Sequence, residues 1–149
     1  MINIGDSLPA FTVKNQDGKG VSASDFKGKK LVVFFYPKAN TPGCTAEACN
    51  LSENYETLQK QGYTLLGVSA DSVEKQKKFH DKFNFPYDLL ADEERQVIEA
   101  FGVWQLKKFM GKEFMGIVRT TFIFDENGVC TRIIDKVKTK EHSAQILES

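Results

Sequence analysis

The 149-residue chain is 41% hydrophobic and 27% charged, ordinary for a soluble globular protein and long enough to close one hydrophobic core, so a single domain over 1–149 is expected. Lysine plus arginine and aspartate plus glutamate stand at 20 each, which points to no surface biased toward nucleic acid or an acidic ligand. Three cysteines do not make a secreted disulfide framework, and "MINIGDSLPAF" at the start has neither a basic segment nor an apolar signal core. No apolar run reaches membrane-spanning length, and the expectation is a cytoplasmic protein with mostly reduced thiols.

In chain order, "NQDGKG" (Asn15 to Gly20) reads as a turn between two short N-terminal strands, a β-hairpin extension. A β-rich run, "LVVFFY", covers Leu31 to Tyr36, and a helical pattern covers Thr45 to Gln61. The strand "YTLLGVSA" (Tyr63 to Ala70) follows, then helical patterns over Val73 to Phe83 and Arg95 to Phe101. "TTFIF" (Thr120 to Phe124) and "VCTRIID" (Val129 to Asp135) are joined by "DENG", with Asn127 and Gly128 expected in left-handed turn conformations. A short helix near Glu141 to Leu147 ends the pattern. This order predicts an α/β sandwich around a central mixed sheet flanked by helices. Right-handed crossovers then set the loop after Tyr36 at a strand's carboxyl end, where α/β sites form.

That loop runs into "TPGCTAEACN", which reads as a helix start. Thr41 is placed to cap it, Pro42 suits the first turn, and good helix formers follow. Cys44, Ala48, Leu51, Tyr55 and Leu58 recur at helical steps as a buried stripe, whereas Cys49 falls with Ser52, Glu53, Glu56 and Lys60 on a polar flank. A cysteine at a helix amino terminus meets unpaired N–H groups and the positive end of the dipole, both of which favour thiolate over thiol. Position alone is equally compatible with a small buried residue that opens a helix. Two helical positions five apart have Cα atoms about 8.7 Å apart, given a rise of about 1.5 Å and a turn of about 100° per residue. A disulfide needs about 4.4–6.8 Å. Cys44 and Cys49 cannot bond while both are helical; either the first turns unravel, or the two thiols are unrelated.

"PKANTPGC" contains the pattern PxxxTxxC on Pro37, Thr41 and Cys44, and here the chain resembles the peroxiredoxins. With a second cysteine five residues on, "TPGCTAEAC" is similar to the bacterioferritin comigratory protein, or peroxiredoxin Q, subfamily. The similarity extends through "GDSLPAF", "LLGVSADS", "FPYDLLAD" and "RTTFIFDENG". It implies a thioredoxin-like fold and a thiol peroxidase that reduces hydrogen peroxide and organic hydroperoxides without metal, haem or flavin.

Residue by residue, the resemblance implies that Cys44 is the nucleophile, oxidised to a sulfenic acid as water or an alcohol leaves. Thr41 would place a hydroxyl against thiolate and peroxide, and Arg119 a positive charge beside the sulfur. Pro37 would shield the sulfur from water. Gly43 and Cys44 would offer backbone N–H groups, and Glu47 would orient the arginine. Cys49 matches the resolving cysteine, giving an intramolecular Cys44–Cys49 disulfide that thioredoxin or a similar dithiol reduces. The subfamily leans to a monomer, with weak pairing open. The same thiols could instead serve a disulfide-exchange partner, which would be expected to use CxxC, or a peroxide sensor.

The remaining signals are weaker. Cys130 reads as a half-buried strand residue, and His80 and His142 as surface residues. Trp104 and Phe109, in "GVWQLKKFMGKEFMG", read as packing, with a pocket wall or contact surface as the other options. No His/Cys spacing suggests a metal, and no GxGxxG or GxxxxGK pattern suggests a nucleotide cofactor.

Overall fold

The computed structural model describes residues 1–148; Ser149, at the end of the expected domain, lies outside them. The strands are β1 (Thr12–Lys14), β2 (Gly20–Ser22), β3 (Lys30–Phe35), β4 (Tyr63–Ser69), β5 (Asp88–Ala91), β6 (Trp104–Phe109), β7 (Lys112–Ile117), β8 (Thr120–Phe124) and β9 (Cys130–Ile134). The helices are α1 (Pro42–Glu53), α2 (Tyr55–Lys60), α3 (Val73–Phe83), α4 (Gln96–Phe101) and α5 (His142–Leu147).

The central sheet has the order β5-β4-β3-β8-β9. β3, β4 and β5 run parallel, while β8 pairs antiparallel with both β3 and β9, so the expected mixed sheet is observed. β3 lies in the middle and is buried on both faces, which is why its sequence is a continuous apolar run rather than an alternating one. Its side chains still alternate. Leu31, Val33 and Phe35 join a core with Val97, Ile98 and Phe101 of α4, while Val32, Phe34 and Tyr36 join a second core with Cys44, Ala48, Leu51, Phe79 and Ile146. Helices therefore cover both faces, and the second layer holds α1, α3 and α5 together. Gly67 in β4 has a packing reason: a Cβ there would lie 2.8 Å from both Phe34 and Leu89.

β1 and β2 form the N-terminal hairpin around the expected turn. Several local expectations need correction. The long helix starts at Pro42, as its opening residues imply, but it does not run unbroken to Gln61: it breaks at Asn54, whose backbone leaves helical geometry and whose Nδ2 donates to the Asn50 carbonyl at 2.8 Å, a side-chain competitor for the helical ladder. In "DENG" only Gly128 has a positive φ; Asp125 Oδ1 accepts from the backbone N–H groups of Asn127 and Val129 and closes the turn. β5 was not predicted from the sequence, nor was the β6–β7 hairpin, which turns at Met110 and Gly111, both with positive φ. Trp104 packs at the edge of the first core beneath the Arg95 guanidinium, 4.5 Å from its ring centre, but Phe109 is 67% exposed and packs nowhere in the core. Cys130 is fully buried rather than half-buried.

Candidate active site

β3 ends beneath a loop that delivers the chain to the amino end of α1. Polar anchors define the loop's path. Asp71 Oδ2 accepts from the Ala39 N–H at 2.7 Å and from the Ser69 hydroxyl at 2.7 Å. Gln76, fully buried, accepts from the Tyr36 hydroxyl at 2.6 Å and donates to Ser69 Oγ and to the Leu90 carbonyl. This chain joins the loop to β4, α3 and β5, satisfying polar groups that burial would otherwise penalise. Asn40, at φ 62°, supplies the left-handed residue that turns the loop into the helix.

Thr41 is the N-cap residue of α1, in extended geometry, and Pro42 takes the first helical position. The Thr41 side chain does not cap. Its hydroxyl donates to the Lys38 carbonyl at 2.8 Å, its only side-chain hydrogen bond among the described residues. Pro37 follows β3, half-buried. Cys44, the third residue of the helix, is 2% exposed within the second core.

Arg119 approaches from the residue before β8. Its Nη2 donates to Cys44 Sγ at 3.3 Å, and its Nη1 donates to Glu47 Oε1 at 2.6 Å. Glu47 lies one turn beyond Cys44 on the same helical face and is completely buried. Burial pushes its carboxyl up to about 7, with Arg119 opposing that shift. For Arg119, burial works against the charge, but Glu47 and Cys44 outweigh it and the guanidinium stays cationic. Gly43 lies close against this group: a Cβ there would sit 3.3 Å from Arg119 Nη2, near enough to shift the guanidinium slightly. Cys44, Arg119, Glu47 and Gly43 are thus brought together as a sulfur, a cation, the carboxyl group that holds it and a helix amino terminus.

Cys49 lies farther along α1. It is not on an open polar flank as expected, but half-buried at the margin of the second core. Burial, and then the nearby Glu53 charge, push its thiol up. All three cysteines are free thiols. Among the described residues no group of three or more His, Cys, Asp or Glu side chains could hold a metal.

Sequence reasoning missed the residues that fasten α1 from behind. The Tyr87 hydroxyl donates to the Ala48 carbonyl at 2.6 Å. Asn50 donates to the Lys140 carbonyl and accepts from the Ser143 N–H, bridging α1 to the start of α5. His142 is not a surface residue: it is fully buried, with Nε2 2.7 Å from the Thr121 hydroxyl and 3.5 Å from Glu47 Oε2. Its four-residue spacing from Ile146, also buried, was the available signal. His80 is half-buried beside Phe85.

A family model described as the AhpC/TSA family matches residues 4–133. The peroxiredoxin Bcp of Bacillus subtilis (strain 168) is 46% identical over 148 residues, covering 99% of this chain and 94% of the relative. That of Escherichia coli (strain K12) is 44% identical over 146 residues, with 98% and 94% coverage. Among solved structures, the bacterioferritin comigratory protein of Xanthomonas campestris, studied for alkyl peroxide reduction, superposes with a TM-score of 0.87 at 31% identity and 95% coverage of both chains. A Xylella fastidiosa PrxQ variant superposes with a TM-score of 0.92 at 29% identity, over 99% of this chain and 94% of that one.

Proposed function

From the premise that this chain belongs to the AhpC/TSA family, among peroxiredoxins of the Bcp and PrxQ kind, we infer that it is a thiol-dependent peroxidase whose working sulfur is Cys44. The observation that carries the assignment of Cys44 is the 3.3 Å contact between Arg119 Nη2 and Cys44 Sγ at the amino end of α1. A cation fixed there stabilises the negative charge that grows on the departing oxygen.

In the proposed cycle the Cys44 thiolate attacks the terminal oxygen of ROOH. The S–O bond forms as the O–O bond breaks, RO⁻ leaves and takes up one proton, and the products are Cys44 sulfenic acid and ROH. Gly43 and Cys44 N–H groups and the Thr41 hydroxyl face the reacting oxygens, the hydroxyl first turning away from the Lys38 carbonyl; Pro37 limits water. The Cys49 sulfur then displaces hydroxide from the sulfenic sulfur, giving a Cys44–Cys49 disulfide and water. The helix must open for this step, because its geometry keeps the Cα atoms about 8.7 Å apart. A thioredoxin-type dithiol reduces the disulfide by exchange. The odd cysteine count supports a reducing compartment, the cytoplasm, and a site built wholly from one chain supports action as a monomer.

Peroxide consumption coupled to thioredoxin, thioredoxin reductase and NADPH tests the cycle. Cys44→Ser should abolish turnover, and Cys49→Ser should leave a Cys44 sulfenic acid that a dimedone-type reagent traps for mass spectrometry. Substantial turnover by Cys44→Ser, or a Cys44–Cys130 link in the oxidised protein, would refute the assignments.

A further inference from the structure

Behind the Arg119–Glu47 pair lies a buried polar atom that the proposed cycle does not use. Glu47 Oε1 accepts from Arg119, but Glu47 Oε2 finds no hydrogen-bond partner among the described residues. The group that faces it is His142 Nε2, at 3.5 Å, and both side chains are fully buried. An orphaned carboxylate oxygen in such a place carries a full desolvation penalty.

The neighbours of His142 fix which ring nitrogen holds its proton. Gln145 Oε1 accepts from the Lys138 N–H at 2.9 Å, and Gln145 Nε2 donates to the Lys136 carbonyl at 3.0 Å. The oxygen is therefore the end of the amide that meets His142 Nδ1 at 2.9 Å, and Nδ1 must donate. Burial pushes the imidazole's proton affinity down, which keeps the ring neutral. Its Nε2 is then a lone pair that accepts from the Thr121 hydroxyl. An ionised Glu47 would turn negative charge toward that lone pair with no proton between them. A proton on Oε2 removes the charge and supplies a donor to the imidazole. Oε1 is then a carbonyl oxygen and still accepts from Arg119, so the guanidinium keeps its place.

We propose that His142 is a positioning residue for the peroxide step: its Nε2, shared with Thr121, accepts a hydrogen bond from a Glu47 Oε2 that keeps its proton, and so leaves the Arg119 charge directed at the Cys44 sulfur. This role rests on the peroxidase reading. Glu47 is faced by Cys44 from its own helix, by Arg119 just before β8, by Tyr87 before β5 and by His142 from α5, with Cys49 farther along α1. Tyr87 keeps its phenolic proton, since burial pushes it up and its hydroxyl donates to Ala48. The burial that pushes Glu47 up to about 7 sets the range in which its proton is exchanged. Loss of that proton restores a full counter-charge to Arg119 and weakens its hold on the thiolate and the departing oxygen, so reactivity per thiolate falls as pH rises.

The chain has two histidines, which makes the ring nitrogens directly observable by ¹⁵N NMR. In the reduced wild type, His142 is expected as the neutral Nδ1–H form, with its Nε2 resonance inflecting near the Glu47 midpoint, and the inflection vanishes in Glu47→Gln. Stopped-flow rates of sulfenic acid formation, normalised to the thiolate fraction, are expected to fall about tenfold through the same range, a field effect of about 1.4 kcal/mol. The fall disappears in Glu47→Gln. His142→Leu lowers its midpoint toward the ordinary carboxylate range, and His142→Gln, whose amide oxygen can accept, restores it. A His142 resonance with no inflection, or one that survives in Glu47→Gln, overturns the proposal whether or not peroxide is consumed. An intact inflection in a protein that consumes no peroxide instead refutes the peroxidase reading, and with it any catalytic role for the pair.

Discussion

Removing the Tyr87 hydroxyl tests whether opening of α1 controls disulfide formation. The ring of Tyr87 stacks on Phe85 at 5.5 Å and meets Phe34 edge-on at 5.6 Å, so Tyr87→Phe keeps the packing and deletes one hydrogen bond, the 2.6 Å contact to the Ala48 carbonyl. That carbonyl retains its helical acceptor role while α1 is folded, so the loss should be near the usual net value of about 1 kcal/mol. The bond exists only when the middle of α1 is in place. Its loss therefore favours the opened helix by that amount, a factor of about five in population. Rapid mixing with peroxide, quenching with a thiol-blocking reagent and mass spectrometry would follow sulfenic acid and disulfide separately. Sulfenic acid should form at the wild-type rate and disappear about fivefold faster, because opening precedes the attack by Cys49. The disulfide should also become harder to reduce by about 20 mV, since it is the folded dithiol form that loses the bond. A sulfenic acid lifetime that is unchanged or longer, in a variant whose urea melt shows the expected loss, would refute control by helix opening.

Asn50→Ala removes both bonds that tie α1 to the Lys140–Ser143 segment, and should speed disulfide formation as Tyr87→Phe does while raising hydrogen exchange at Ser143. Gly43→Ala places a methyl group 3.3 Å from Arg119 Nη2, so sulfenic acid formation should slow about tenfold with little change in the melting temperature; a wild-type rate would show that the guanidinium position does not matter. Because Glu47 binds its proton more tightly folded than unfolded, its contribution to stability is full below its ordinary value of 4.5 and is lost as pH rises through about 7. The loss is at most on the order of 3–4 kcal/mol, from about 1.4 kcal/mol per pH unit. Urea unfolding of wild type against Glu47→Gln at pH 5 and pH 8 isolates it, because His142, whose lowered value acts in the opposite sense, is common to both. A difference that does not change with pH would refute the burial effect.

What the sequence made legible follows from how local each cause is. β3 and β4 announce themselves through apolar runs, and α1 through Pro42 and the stripe Cys44, Ala48 and Leu51. The peroxiredoxin-like arrangement of Pro37, Thr41, Cys44 and Arg119 was legible as a resemblance; composition and periodicity do not supply it. The β6–β7 hairpin was illegible because its strands bury little, with Leu106, Phe114 and Met115 exposed, so no period-2 burial pattern marks it. The break at Asn54 depends on one side-chain bond to Asn50, which leaves the apolar period almost undisturbed. The spacing of His142 from Ile146 hinted at burial, but the pairings of His142, Asn50 and Tyr87 were illegible for a different reason: each matters through a partner 39 or more positions away in the chain, and only the packing of α5 and β5 against α1 creates those pairs.

The two thiols on α1 differ in a way that ties the proposed second step to the helix itself. Cys44 is served by the folded state, because Arg119 reaches it only when β8 and the helix amino terminus are docked. Cys49 is hindered by the same state. Burial raises its thiol, the Glu53 charge four residues on raises it further, and helical spacing holds it away from Cys44. Unwinding α1 removes all three obstacles together: the thiol gains water, the fixed proximity to Glu53 is lost, and the chain between the sulfurs becomes flexible enough to close. Opening would therefore activate Cys49 for the proposed resolving step as well as deliver it, since a thiol of ordinary acidity exposes more thiolate near neutral pH than a buried one. It also withdraws Glu47 from Arg119 and breaks the Asn50 and Tyr87 anchors, so the state that resolves the sulfenic acid is unsuited to attacking peroxide. On this argument one helix alternates between two reactive arrangements, and the contacts that sharpen the first step are those that delay the second.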